Sequence, residues 1–168
     1  LIFEKAGLRI WDVDKLLTHG GSLRVYGCHS DDNKKISTLV NKVLADEQKK
    51  GLMQISTYQG FQARADQVKK DLLRYLNELK FSGKRVAAYG AAAKGNTLLN
   101  YAGIDSSLLP YVCDAAPSKQ GKYMPGSHIP IFPPSKLRED KPDIILILPW
   151  NLTTEVISQN TYVREWGG

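Results

Sequence analysis

The sequence predicts an α/β fold: a mostly parallel sheet with flanking helices, preceded by two long amphipathic helices and a short N-terminal β segment. Three observations carry this. In residues 85–168 short apolar runs alternate with helical patterns, the mark of βαβ units and of a Rossmann-like sheet. In residues 31–84 apolar residues recur at helical spacing. In residues 1–30 two alternating runs flank the turn Thr18-His19-Gly20-Gly21.

Residues 1–6 read as a last helical turn closed by Gly7. Strands follow over 8–13 and 22–28. Two strands alone are marginal in water, so residues 1–30 are expected to be the tail of an upstream domain. The run Arg164-Glu165-Trp166-Gly167-Gly168 stops where a further strand is expected, which suggests a piece cut from a longer protein. Asp31 or Asp32 is expected to cap a helix from near Asn33, with Ile36, Leu39, Val40, Val43 and Leu44 on one face and Gly51 at its end. Ser56 or Thr57 is expected to cap the next. There Phe61, Ala65, Val68, Leu72, Leu76 and Leu79 form a sustained apolar stripe.

The last third opens with a strand over 85–89 and a loop of small residues over 90–97. A helix from Leu98 is ended by Gly103, and a second strand over 111–114 ends in Asp114. A short third strand over 129–131 precedes a helix begun by Pro133-Pro134-Ser135. Residues 143–148 are continuously apolar after their first position, as expected of a central parallel strand covered on both faces. Pro149-Trp150-Asn151 and a helix through Arg164 complete the chain.

Composition excludes several classes. The 168 residues carry 23 Lys+Arg against 17 Asp+Glu, net +6, with 42% hydrophobic residues, ordinary for a globular domain. No apolar run is long enough to cross a bilayer. The surplus charge lies entirely in residues 33–84, on the outer faces of the two helices, without the interleaved aromatics a nucleic-acid platform needs. Neither a nucleic-acid nor a membrane partner is therefore expected. Cys28 and Cys113 are expected as buried free thiols in a reducing, cytoplasmic setting. His19, His29 and His128 lack ligand spacing, so no metal site is expected.

Ligands of parallel α/β sheets sit at the carboxyl ends of the strands, which gathers three loops. The first, from Gly90 to Thr97, is Gly-x-x-x-x-Gly. It lacks the middle glycine of the dinucleotide fingerprint, and Asn96 stands where a P-loop has Lys. Its small residues, its helix N-terminus and Lys94 suit phosphate, though a plain strand-to-helix turn fits equally. In the second, Asp114 can hold sugar or ribose hydroxyls or cap a turn. Lys119 and Lys122 can pair with a diphosphate or remain solvated, and Gln120 and His128 can bond a ligand. In the third, Trp150 can stack on a base, and Asn151 can bond hydroxyls or cap a helix.

The run from Tyr89 through Gly90, Lys94, Gly95, Asn96 and Thr97 to Asn100 forms one motif. Lys119-Gln120-Gly121-Lys122-Tyr123-Met124-Pro125-Gly126 with His128-Ile129-Pro130-Ile131 forms a second, and Leu146 to Asn151 a third. Together they resemble the C-terminal domain of S-adenosylmethionine-dependent sugar C-methyltransferases, and Thr18 to Arg24 resembles the segment that joins it to the family's central domain. The resemblance implies a Rossmann-like domain that binds a nucleoside-diphosphate sugar. It implies chemistry in which a base removes a proton α to a keto group and the resulting carbanion takes the methyl group. It also implies that S-adenosylmethionine and the main catalytic residues belong to an upstream methyltransferase domain, so this piece alone binds no cofactor and is inactive.

On that basis Tyr89, Gly90, Lys94, Gly95, Asn96, Thr97, Asp114, Lys119, Gln120, His128, Trp150 and Asn151 are the expected substrate contacts, with His19 a weak catalytic candidate. The expected divisions are 1–30 (tail of the upstream domain), 31–84 (helical) and 85–168 (ligand unit). The exposed front strands permit a homodimer. Competing readings are a non-catalytic Rossmann-like binding or assembly module, and an NAD-binding dehydrogenase-like domain, which the missing glycine disfavours.

Overall fold

The structure, a computed structural model, describes residues 1–168. The chain divides into two compact units, Leu1–Gln62 and Ala63–Gly168.

In the first unit, helix α1 (Ile2–Lys5) leads through Gly7, whose φ of +69° suits glycine, into strand β1 (Leu8–Leu16). A 3-10 turn, Thr18–Gly20, joins it to strand β2 (Ser22–His29). The strands pair antiparallel from Leu8 opposite His29 to Leu16 opposite Ser22, with an irregularity between Ile10 and Asp12. Arg9 anchors the exit of the hairpin, donating to the carbonyls of Asp32 and Lys34, both at 2.6 Å.

Helix α2 (Thr38–Lys49) starts later than its pattern suggests. Its cap is Ser37, whose Oγ accepts from the Leu39 amide at 3.2 Å. Neither Asp31 nor Asp32 caps it. Asp32 accepts instead from the Lys34 amide and ammonium, closing a local turn. Asp and Ser favour caps for the same reason, a short oxygen-bearing side chain, and with Asp32 held by Lys34 it is Ser37 that serves the Leu39 amide. The next helical pattern also splits, into α3 (Ser56–Gln59) and, beyond Gly60, α4 (Phe61–Phe81). Ile55, not Ser56 or Thr57, is the cap position of α3, while Thr57 Oγ1 donates to the Gly51 carbonyl at 2.7 Å. Val13 and Val40 are the buried hydrophobic residues of this unit, and Cys28 is only half-buried.

In the second unit a four-stranded parallel sheet has the order β5-β4-β3-β6. Its strands are β3 (Val86–Tyr89), β4 (Val112–Cys113), β5 (Ile131–Phe132) and β6 (Ile144–Ile147). Helix α5 (Ala93–Ala102) follows β3, starting five residues before the apolar run that announced it and ending at Gly103 in the left-handed conformation. Helix α6 (Ser135–Asp140) precedes β6. The last helix breaks at Asn160 into α7 (Thr153–Gln159) and a 3-10 stretch, Thr161–Trp166.

Alternation along the strands sorts the core into two faces. Val86, Ala88, Val112, Ile131 and Leu148 meet Leu76 of α4 and Leu99 of α5. Ala87, Tyr89, Tyr111 and Cys113 meet Leu137 of α6 and Val156 of α7. Helices thus cover both faces. The apolar run over 143–148 does not make a central strand, however: β3 and β4 are central and β6 lies at the edge. Coverage of both faces dictates the apolar pattern, and an edge strand receives that coverage too. In α4 the C-terminal half of the stripe packs on the first of these faces, through Leu72, Leu76 and Leu79. Leu76 is fully enclosed, while Val68 is 54% exposed.

Candidate functional site

After β3 the chain lays down β4 and β5 on one side and then crosses to add β6 on the other. The loops diverge between β3 and β6, and ligands of open α/β sheets bind in such a crevice. Two glycines shape it. Gly90 ends β3 with a φ of +92°, and a Cβ there would lie 2.5 Å from Pro149 Cδ. A Cβ on Gly95 would lie 2.5 Å from Leu148 Cβ, so its absence lets α5 lie against the end of β6. Lys94 crosses the crevice: its Nζ donates to Asn151 Oδ1 at 3.1 Å and stands 5.4 Å from the centre of the Trp150 ring. Trp150 itself is 55% exposed. The structure therefore brings Lys94, Trp150 and Asn151 together from loops more than fifty residues apart.

On the β4 side of the same edge is a cleft of about 400 Å³, lined by Ala92, Asn96, Lys119, Lys122, Tyr123 and Pro125 among others. Helix α5 opens on it with Ala92 at its cap position and no side-chain cap, the end of a helix that favours negative charge. Asn96 Oδ1 is buried without a donor. Two lysines, a helix N-terminus and hydroxyl and amide groups give the cleft the means to hold an anionic, hydroxyl-bearing ligand.

Asp114 builds the cleft from below. It is 7% exposed. Its Oδ2 accepts from the Ala91 amide at 2.7 Å and from Lys119 Nζ at 3.0 Å, and its Oδ1 accepts from the Ala116 amide at 2.8 Å. Gln120 Nε2 donates to the Asp114 carbonyl at 2.9 Å. Both side chains thus hold the loop in shape. Thr97 Oγ1 donates back to the Ala93 carbonyl and the residue is exposed. Tyr89 lies in the core face shared with Leu137 and Val156, not at the cleft. His128 is exposed, with a φ of +55°, on a turn where its amide donates to the Met124 carbonyl, and it lines neither cleft nor crevice. His19 sits in the hairpin turn of the first unit with a φ of +57°.

Sequence reasoning missed Asn100. Its Nδ2 donates to the carbonyls of Asn96 and Pro125, each at 2.9 Å. Its position four residues after Asn96, on the same helix face, was the available signal. A larger hollow of about 660 Å³ opens between Lys80, Arg85, Tyr111 and Asp140. It lies at the amino ends of the strands, the wrong edge for a ligand of a parallel sheet.

Residues 17–168 match the sequence profile of the C-methyltransferase C-terminal domain family. Over 167 residues the chain is 34% identical to the C-methyltransferase NovU of Streptomyces niveus, covering 99% of this chain and 40% of that protein. The chain therefore spans two fifths of the length of the curated relative it matches.

Proposed function

Because the chain belongs to the C-methyltransferase C-terminal domain family, we propose that it is the substrate-binding domain of an S-adenosylmethionine-dependent enzyme methylating a carbon of a nucleotide-linked keto-deoxysugar. The observation that carries this reading is the uncapped N-terminus of α5, opening on a cleft with Lys119 and Lys122 on its far wall. Such a site suits a diphosphate. Lys94 and Trp150 at the neighbouring crevice suit a second charge and a stacked base. The sheet order, with its reversal between β3 and β6, supports a Rossmann-like relationship.

In this reading residues 85–168 bind the nucleotide-sugar, residues 31–84 form a helical segment, and residues 1–30 continue the methyltransferase domain of a cytoplasmic enzyme. The main catalytic residues stand outside these 168, and His19 is the catalytic candidate among them.

The residues present do not fit a bound S-adenosylmethionine. An adenosine cofactor seated at this strand end would rest its ribose on the Asp114 carboxylate, which already holds two main-chain amides and Lys119, whereas the nucleotide-sugar reading rests on the diphosphate and the base and draws no ribose contact from Asp114. The same occupancy weighs against NAD. We therefore assign the methyl donor to another domain of the intact enzyme. What this chain contributes is binding and orientation: it fixes the diphosphate, so that the sugar is held in one place while its α-proton is removed.

Titration calorimetry of the 168-residue chain with a nucleoside-diphosphate sugar tests the reading. Saturable binding in the micromolar to millimolar range is expected, weaker with the nucleoside alone. No heat at millimolar ligand, with the circular dichroism of a folded protein, would overturn a self-sufficient sugar site. Preferential binding of NAD would favour the dehydrogenase-like reading.

A further inference from the structure

We infer that Asn100 is a positioning residue of the site, a latch that holds the loop over residues 115–128 against α5 and so sets the width of the cleft. The inference rests on reading that cleft as the nucleotide-sugar site. Its geometry does not. Asn100 Nδ2 donates to the Pro125 carbonyl across the gap between helix and loop, and to the Asn96 carbonyl one turn back, both at 2.9 Å. One amide thereby ties the loop to the turn that carries Asn96.

A second observation makes the fit two-sided. Gly126, with a φ of +83°, follows Pro125, and a Cβ there would collide with Asn100 Oδ1. The loop comes this close because residue 126 has no side chain. Donor and glycine are thus complementary halves of one contact.

The loop is already tied to β5 on its other side. The Gly121 amide donates to the Ile131 carbonyl at 2.9 Å, and the Ile131 amide to the Lys122 carbonyl at 2.8 Å. Met124 is buried at 2% exposure and its amide donates to the Ile129 carbonyl. The segment therefore stays folded when the latch opens, and what changes is its distance from α5. Lys119, Lys122 and Tyr123 ride on that segment. Asn100 itself is exposed and outside both core clusters, so its loss acts on the cleft more than on the fold.

The test uses the full chain with Asn100→Asp, which keeps the shape but presents an oxygen where the donor stood, and with Asn100→Ala. Hydrogen exchange should rise in residues 115–128 and stay unchanged in β3 and β6, with a thermal midpoint close to that of the parent. Affinity for the nucleoside-diphosphate sugar should fall by roughly threefold to tenfold, as for one lost hydrogen bond. A merely structural residue would lower the midpoint without a selective loss of affinity.

The pair supplies a further check. Gly126→Ala should weaken binding in the parent, and by less in the Asn100→Ala background, where the collision is gone. Unchanged exchange in 115–128, or additive effects of the two substitutions, would overturn the latch. If the parent chain binds no nucleotide-sugar, the function proposed above fails, while hydrogen exchange in residues 115–128 still decides whether the latch exists.

Discussion

At the scale of single residues, the site is built by what glycine omits and what lysine reaches. Lys94 extends from the first turn of α5 to Asn151 and the Trp150 ring. Replacing it with alanine is expected to weaken diphosphate binding by about 1–3 kcal/mol, read by calorimetry; unchanged affinity would remove Lys94 from the site. Gly95 is a buried position of α5 that faces Leu148 at the end of β6. Gly95→Ala gains about 1 kcal/mol of helix propensity. It also forces a Cβ to within 2.5 Å of Leu148 Cβ, and overpacking of this kind costs about 1–3 kcal/mol. The clash lies near the carbon backbone of both residues and cannot relax, so urea unfolding should show a net loss; a more stable variant would refute the contact. The neighbourhood of Lys94 and Asn151 was readable from the sequence because both stand in segments that follow strand ends. That of Asp114 was not, because a buried carboxylate bonding main chain and one bonding ribose have the same sequence signature.

At the scale of elements, hydrophobic period announced where strands and helices lie, and misjudged where they begin and what they adjoin. Helix α5 was read five residues short because Gly95 and Asn96 are weak helix formers. The start of α5 is nonetheless the part of it that opens on the cleft. In α4 the stripe from Phe61 to Leu79 is uniform in sequence, yet Leu76 is 1% exposed and Val68 54%. Leu76→Ala should cost about 2–5 kcal/mol, whereas Val68→Ala should stay within about 0.5 kcal/mol. Equal losses in chemical denaturation would show that both halves of the helix are packed alike. The position of β6 at the sheet edge was not legible, since strand order depends on crossovers that leave no local pattern.

At the scale of the whole molecule, stability should fall in alkali. Burial pushes the Cys113 thiol from 9.0 up to about 12, and burial together with the nearby Asp140 charge raises the Tyr111 phenol as well. Between pH 9 and about 12 the unfolded chain holds fewer protons than the folded one, so the unfolding free energy declines as pH rises. Urea midpoints at pH 8 and pH 10.5 should show it, and Cys113→Ala should flatten the slope; an identical slope would remove the thiol as its source. The sheet also carries a kinetic consequence. The hairpin of the first unit closes between near neighbours, as such hairpins do in microseconds. The β3–β6 edge instead joins residues 58 positions apart, as the Arg85–Asp143 bond shows. Distant pairings slow the search for the native state, because loop closure must precede their reward. The crevice spanned by Lys94 and Asn151 exists only once that pairing has formed. The ligand site should therefore be among the last features to mature after synthesis, and a bound nucleotide-sugar would certify a finished fold.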